Sequence, residues 1–150
     1  MSDFKPFDDK LAGLISSLSP AGRRRLAVDM AKKLRQSQQR RIKSQQNPDG
    51  TLYEQRKKQP ARAKTGRVKR EMFAKLRTSR FMKAKGSDDG AVVEFTGRVQ
   101  RIVKVHQYGL KDRPARNGVA VEYPVRELLG FTEDELSNIE RVIIEHISRC

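Results

Sequence analysis

Few residues in this 150-residue chain have side chains suited to catalysis or metal binding, and their spacing serves neither purpose. The nitrogen and sulfur ligands are His106, His146 and Cys150, and none of them stands at a zinc-finger spacing. His146 and Cys150 lie one helical turn apart at the C-terminus, an arrangement that reads as incidental. Grouped carboxylates occur at Asp88-Asp89 and at Glu133-Asp134-Glu135. A turn explains the first, and a helix start, where carboxylates meet the positive end of the dipole, explains the second. The chain has no glycine-rich loop followed by Lys-Ser or Lys-Thr, no Gly-x-Ser-x-Gly elbow and no His-Glu-x-x-His. The residues therefore predict a protein that is not an enzyme and holds no cofactor or metal.

What the chain has in quantity is positive charge. Lys and Arg total 33 against 18 Asp and Glu, for a formal net charge of +15. Between Pro20 and Lys85 there are 22 basic and 4 acidic residues, leaving 11 basic and 14 acidic elsewhere, so the charge is polarised along the chain. Arg40, Arg41, Lys43, Lys57, Lys58, Arg62 and Lys64 form the candidate interaction surface in this region. Clustered cations bind phosphates by releasing counterions, and they bind acidic protein surfaces equally well. Tyr53 is the sole aromatic residue between Pro20 and Met72, which argues against a base-stacking platform for single strands. Non-specific contact with DNA and docking to an acidic protein, including another copy, both stay open.

The elements that carry these residues follow from periodicity. Asp8 and Asp9 precede Leu11, Leu14, Ile15 and Leu18 at helical spacing, and Ser19-Pro20 reads as an N-cap opening a second helix with Leu26, Met30 and Leu34 on one face. From Arg35 to Gln46 the apolar face is lost except at Ile42, which predicts a basic helix projecting from the body. Asn47-Pro48-Asp49-Gly50 is a turn, and the aperiodic stretch from Thr51 to Gly66 is an extended basic arm, so that the excursion spans about residues 35–66. A third helix is expected from Val68 to about Ser79. A β-hairpin follows, with Phe81–Lys85 and Ala91–Thr96 flanking Gly86–Gly90. Val99, Ile102, Val103 and His106 recur at helical spacing up to Gly109, with a strand over Ile102–Val105 as the alternative. Val119–Tyr123 is a third strand that could extend the hairpin. Thr132 and Glu135 form a capping box ahead of Leu136, Ile139, Val142, Ile143 and Ile147. The sum is one α+β domain over residues 1–150, with helices on one face of a small antiparallel sheet. No run of eighteen apolar residues occurs and the N-terminus lacks a signal-peptide pattern, which predicts a soluble protein with no membrane partner.

Three patterns, taken in order, resemble the phage virion morphogenesis family, the tail-completion proteins of contractile-tailed phages, and its S-type members in particular. They are Asn47-Pro48-Asp49-Gly50-Thr51, Val105-His106-Gln107-Tyr108-Gly109, and Tyr123 to Phe131 running into Thr132-Glu133-Asp134-Glu135-Leu136. The last matches a family pattern at Pro124, Arg126, Leu129 and Gly130. Family members often carry tryptophan shortly after the Pro-Asp-Gly turn, where Tyr53 stands here. The candidate structural motif is thus Pro48, Asp49, Gly50, His106, Gly109, Pro124, Leu129 and Gly130. Arg126 either satisfies carbonyls of a neighbouring element or pairs with a carboxylate of an adjacent subunit. The resemblance implies a structural virion protein, assembled in the host bacterial cytoplasm, that forms a homo-oligomeric, six-fold ring at the head-proximal end of the tail. Its expected partners are the tail tube, the head connector or both, with non-specific contact to DNA in the tail lumen. The rival reading is a small basic nucleic-acid-binding protein of a mobile element.

Overall fold

The computed structural model describes residues 5–56, 71–114 and 116–148. The elements, in order, are α1 (Lys5–Ser16), α2 (Pro20–Lys43), β1 (Met82–Gly86), β2 (Ala91–Phe95), α3 (Gln100–Tyr108), β3 (Lys111–Asp112), β4 (Val121–Glu122) and α4 (Glu133–Ser148). The fold is α+β. Its strands form two separate antiparallel ribbons, β1 with β2 and β3 with β4. The chain divides into two compact units, one of residues 1–37, 83–94 and 131–150, the other of 38–82 and 95–130.

In the first unit, Leu11, Leu18, Leu26, Val142 and Ile143 form the buried core, with Ile15, Met30, Ile139 and Ile147 packed against it. These are the apolar stripes of α1, α2 and α4, and removing them from water drives the helices together. The corner between α1 and α2 is fixed in two ways. Ser19 caps α2 by accepting the Gly22 N–H at 3.0 Å. Arg23 donates to Leu18 O at 2.8 Å and to Asp88 O at 3.3 Å, tying the corner to the β1–β2 turn. Gly86 of β1 lies on the backbone of α2, where a Cβ would meet Val28 N and come within 2.6 Å of Ala27 C. At the start of α4 the capping box is formed: Glu135 N–H donates to Thr132 Oγ1 at 3.1 Å and Thr132 N–H to Glu135 Oε2 at 3.2 Å.

The second unit departs from the expected elements in three places. The end of α2 does not project, because Gln38, Arg41 and Ile42 are buried there at 2%, 7% and 0% exposure. Polar partners in later segments hold this face, so its burial leaves no apolar periodicity to read. No third helix forms over the described part of 68–79, since 71–80 is a series of turns with Phe73 at φ 68°. The cause is Gln45, whose side chain accepts the Met72 N–H at 2.8 Å and donates to Met72 O at 2.9 Å, capturing the groups a helix would need. The strand expected over Val119–Tyr123 shortens to Val121–Glu122. It pairs with Lys111–Asp112 in the register Lys111↔Glu122 and Asp112↔Val121, so it forms a second ribbon instead of extending the hairpin. The apolar spacing from Val99 onward forms the helix α3, Gln100–Tyr108, closed by Gly109 at φ 64°.

Candidate functional site

The three motif segments that lie far apart in sequence meet in the second unit around residues 123–130. The platform is the last two turns of α2. Gln38 and Arg41 stand three residues apart on its inward face, and the Arg41 guanidinium donates to the carbonyls of Glu127 (3.4 Å), Leu128 (3.3 Å) and Gly130 (3.3 Å). Arg41 Nη2, the nitrogen that reaches Gly130 O, also donates to Gln38 Oε1, and that oxygen accepts the Gly130 N–H at 3.1 Å. An arginine is needed because only its planar fork carries enough donors to span several carbonyls from one position.

Beyond α2, Gln45 at φ 57° reverses the chain and the loop closes on itself, with Gln46 bridged to Leu52 and Tyr53 N–H donating to Gln45 O at 2.7 Å. Inside it, Asp49 Oδ1 accepts the N–H and hydroxyl of Thr51 at 2.9 and 2.5 Å, and Gly50 takes φ 90°. The Thr51 bonds hold the exposed Asp49 carboxyl below the usual carboxylate range. The loop then reaches out in three directions. Asn47 Oδ1 accepts the Glu127 N–H at 2.8 Å, and Tyr53 donates its hydroxyl to Glu127 O at 2.7 Å. Pro48 lies under Gly130, where a Cβ would collide with its ring. Burial pushes the Tyr53 phenol up to about 12, so it stays a donor.

The third contributor is α3. Gln107 Oε1 accepts the N–H groups of Leu128 (2.9 Å) and Leu129 (3.0 Å), while its Nε2 donates to Leu129 O at 2.8 Å. At the helix end, a Cβ on Gly109 would stand 2.7 Å from Val125 Cγ2 and 3.2 Å from Tyr123 O. Arg126 turns inward, only 4% exposed, donating through Nε to Glu54 O at 2.7 Å and through Nη1 to His106 Nδ1 at 3.2 Å. The first of its two open roles is therefore the one seen: it satisfies a carbonyl of a neighbouring segment. His106 packs edge-on between Phe73 (centroids 4.8 Å apart) and Tyr123 (5.0 Å), and Phe73 meets Tyr53 at 5.6 Å. Burial, then the nearby Arg126 and Arg56 charges, push the His106 imidazole down to about 4, so it is neutral at pH 7 with Nδ1 free to accept.

This arrangement is a latch that fixes the backbone of 123–130. The walls around the His106 imidazole are aromatic rings and an arginine. Asp88 and Asp89 sit in the β1–β2 turn, where Ser87 Oγ accepts the Asp89 and Gly90 N–H groups at 3.2 and 3.3 Å. Among the described residues no group of three His, Cys, Asp or Glu side chains is placed to hold a metal ion.

The expected interaction surface divides. Arg40 and Lys43 are exposed on the outer side of α2, whereas Arg41 and Arg126 are buried in the latch. Lys57, Lys58, Arg62 and Lys64 lie outside the described residues. Of the structural motif, Pro48, Asp49, Gly50, His106, Gly109, Leu129 and Gly130 are brought together as described, and Pro124 joins β4 to the latched segment. Type and spacing do not single out Gln38 or Gln107, because glutamine on a helix reads as solvated surface. Asn47 is visible as a turn former but its bond to residue 127 is not.

The chain belongs to the phage virion morphogenesis family, whose model matches residues 2–148 and so takes in every element above. It is similar to tail completion protein S of Escherichia phage P2, at 52% identity over 150 residues covering 99% of this chain and 100% of that protein. No solved structure matches it. No helix among the described residues is long and apolar enough to cross a membrane.

Proposed function

We propose that this protein is a structural subunit that completes a phage tail, acting without catalysis as a closed ring of six copies at the head-proximal end of the tail tube. There it presents the surface on which a filled head is joined. The observation that carries this reading is the end-to-end match with a tail completion protein, 52% identical over 150 residues. The latch supports it: the segments that carry the resemblance are spent on holding one backbone rigid, which suits a part that must be the same shape in every copy. The partners are further copies of this chain and the tube and connector proteins on either side. Residence is in the virion after assembly in the bacterial cytoplasm.

Exposed Arg40 and Lys43 also support non-specific contact with DNA, either in the tail lumen or as the main role of a nucleic-acid-binding protein. The two readings separate in an infection that lacks this gene product. Electron microscopy of the lysate should show filled heads beside unattached or overlong tails, with joining restored when the protein is supplied. Normal virions, or a defect confined to replication or transcription, would defeat tail completion. Tight, strongly salt-sensitive binding of duplex DNA by the purified chain would then put the nucleic-acid reading in its place.

A further inference from the structure

Among the described residues, two helix faces of the first unit carry exposed side chains, and they are complementary. On α2, Arg24, Arg25, Val28, Asp29 and Lys32 line an open groove of about 320 Å³. Its one carboxylate is already committed within the chain. Asp29 Oδ2 accepts from His146 Nε2 at 3.0 Å and from Lys33 at 3.2 Å, and these partners, His146 first, hold its carboxyl below the usual carboxylate range. The groove therefore presents three cations around an apolar floor at Val28. On α4, Leu136 and Ile144 are each 48% exposed, beside the flank on which the helix buries Val142 and Ile143. Glu133 and Glu140 lie on the same outer stripe as these two, by the helical spacing of 133, 136, 140 and 144.

The spacings correspond. Leu136, Glu140 and Ile144 follow at i, i+4 and i+8, an axial span of about 12 Å, and Arg24, Val28 and Lys32 do the same. One stripe alternates apolar, acidic, apolar, and the other basic, apolar, basic. Set side by side, the aliphatic stems of Arg24 and Lys32 cover Leu136 and Ile144 while their charged ends reach Glu133 and Glu140. A face of one sign joined to a different face of the opposite sign is a heterologous contact, the type that repeats head to tail and can close into a ring.

We infer that the outer stripe of α4 in one copy docks into the Arg24–Lys32 groove of α2 in the next copy. This rests on the ring reading above and supplies its interface. In a Cys150→Ser background, Val28→Cys and Glu140→Cys, the middle positions of the two stripes, are introduced singly and together, and tails assembled during infection are oxidised and run without reductant. The double variant gives a ladder of oligomers up to the closed ring, and neither single variant gives a product. Dimers from a single variant would mean that like faces meet, and no ladder from the double variant would mean that these faces do not meet; either result overturns the inference. An amine-reactive cross-linker applied to the same tails tests the ring by itself. Oligomers seen with that reagent but no cysteine ladder overturn only the interface, and monomers with both reagents overturn the ring as well.

Charge reversal gives an independent reading. Arg24→Glu with Lys32→Glu, or Glu133→Arg with Glu140→Arg, should each lower the yield of infectious particles by about 100-fold, and combining all four should recover most of it. Thermal unfolding checks that each variant is folded. If the quadruple variant folds normally and stays as defective as the pairs, the proposed pairing is wrong.

Discussion

The unit of residues 1–37, 83–94 and 131–150 is held by side chains without polar atoms, Leu11, Leu18, Leu26, Val142 and Ile143. In the unit of 38–82 and 95–130, the segment 123–130 is instead held by Gln38, Arg41, Asn47, Tyr53 and Gln107, each bonded to its backbone. The contrast concerns tolerance as much as strength. Apolar contacts are non-directional, so volume and pattern suffice to make them. Hydrogen bonds to a buried backbone are directional, and a missing partner leaves a desolvated group with nothing in exchange.

Substitutions of similar volume should break the symmetry between the units. Arg41→Met keeps the bulk but strips donors from the carbonyls of Glu127, Leu128 and Gly130, and should cost about 3 kcal/mol, measured by urea denaturation. That corresponds to a fall in Tm of about 6–12 °C for a chain of this size. Gln107→Leu leaves the Leu128 and Leu129 N–H groups unpaired, at about 2 kcal/mol by the same measurement. Ile143→Val, in the apolar core, should cost about 1 kcal/mol. Equal losses for Arg41→Met and Ile143→Val would erase the distinction between the units.

Acidity sharpens the same comparison. The native state holds the His106 imidazole down to about 4, below its ordinary 6.5, so it favours the neutral ring. Between these values the unfolded chain binds the proton and the native chain does not. The stability that His106 contributes is therefore complete above pH 6.5 and is lost as pH falls toward 4. Denaturation midpoints should decline across this window in the wild type, and His106→Gln, which keeps an acceptor for Arg126, should flatten that decline. An unchanged slope would show that His106 is not what acid attacks first.

How far the sequence could be read follows from the same difference in physics. The helices of the first unit announce themselves through periodicity, and Ser19 and Thr132 cap where their types and positions predict. The β1–β2 hairpin and the Gly109 stop are equally plain, because a turn or a left-handed residue demands particular amino acids. The latch is not announced. Arg41 looks like one more cation in a basic run, and its buried role depends on carbonyls eighty-six to eighty-nine residues away. Resemblance located the segments, through Asn47, His106 and Gly130, without revealing that they touch. The turns over 71–80 were illegible for a similar reason, since a single glutamine at 45 overrides the helical spacing of Met72, Phe73 and Leu76.

The division of the chain into discontinuous units carries a consequence for its birth on the ribosome. The latched unit has all its segments once residue 130 has been made, whereas the first unit begins at α1 and cannot be completed until α4, Glu133–Ser148, emerges. Leu11, Leu18 and Leu26 wait for Val142 and Ile143 while everything between Leu26 and Val142 is made. A nascent or truncated chain thus shows an uncovered apolar stripe to proteases and chaperones, and release of the last helix is the event that hides it.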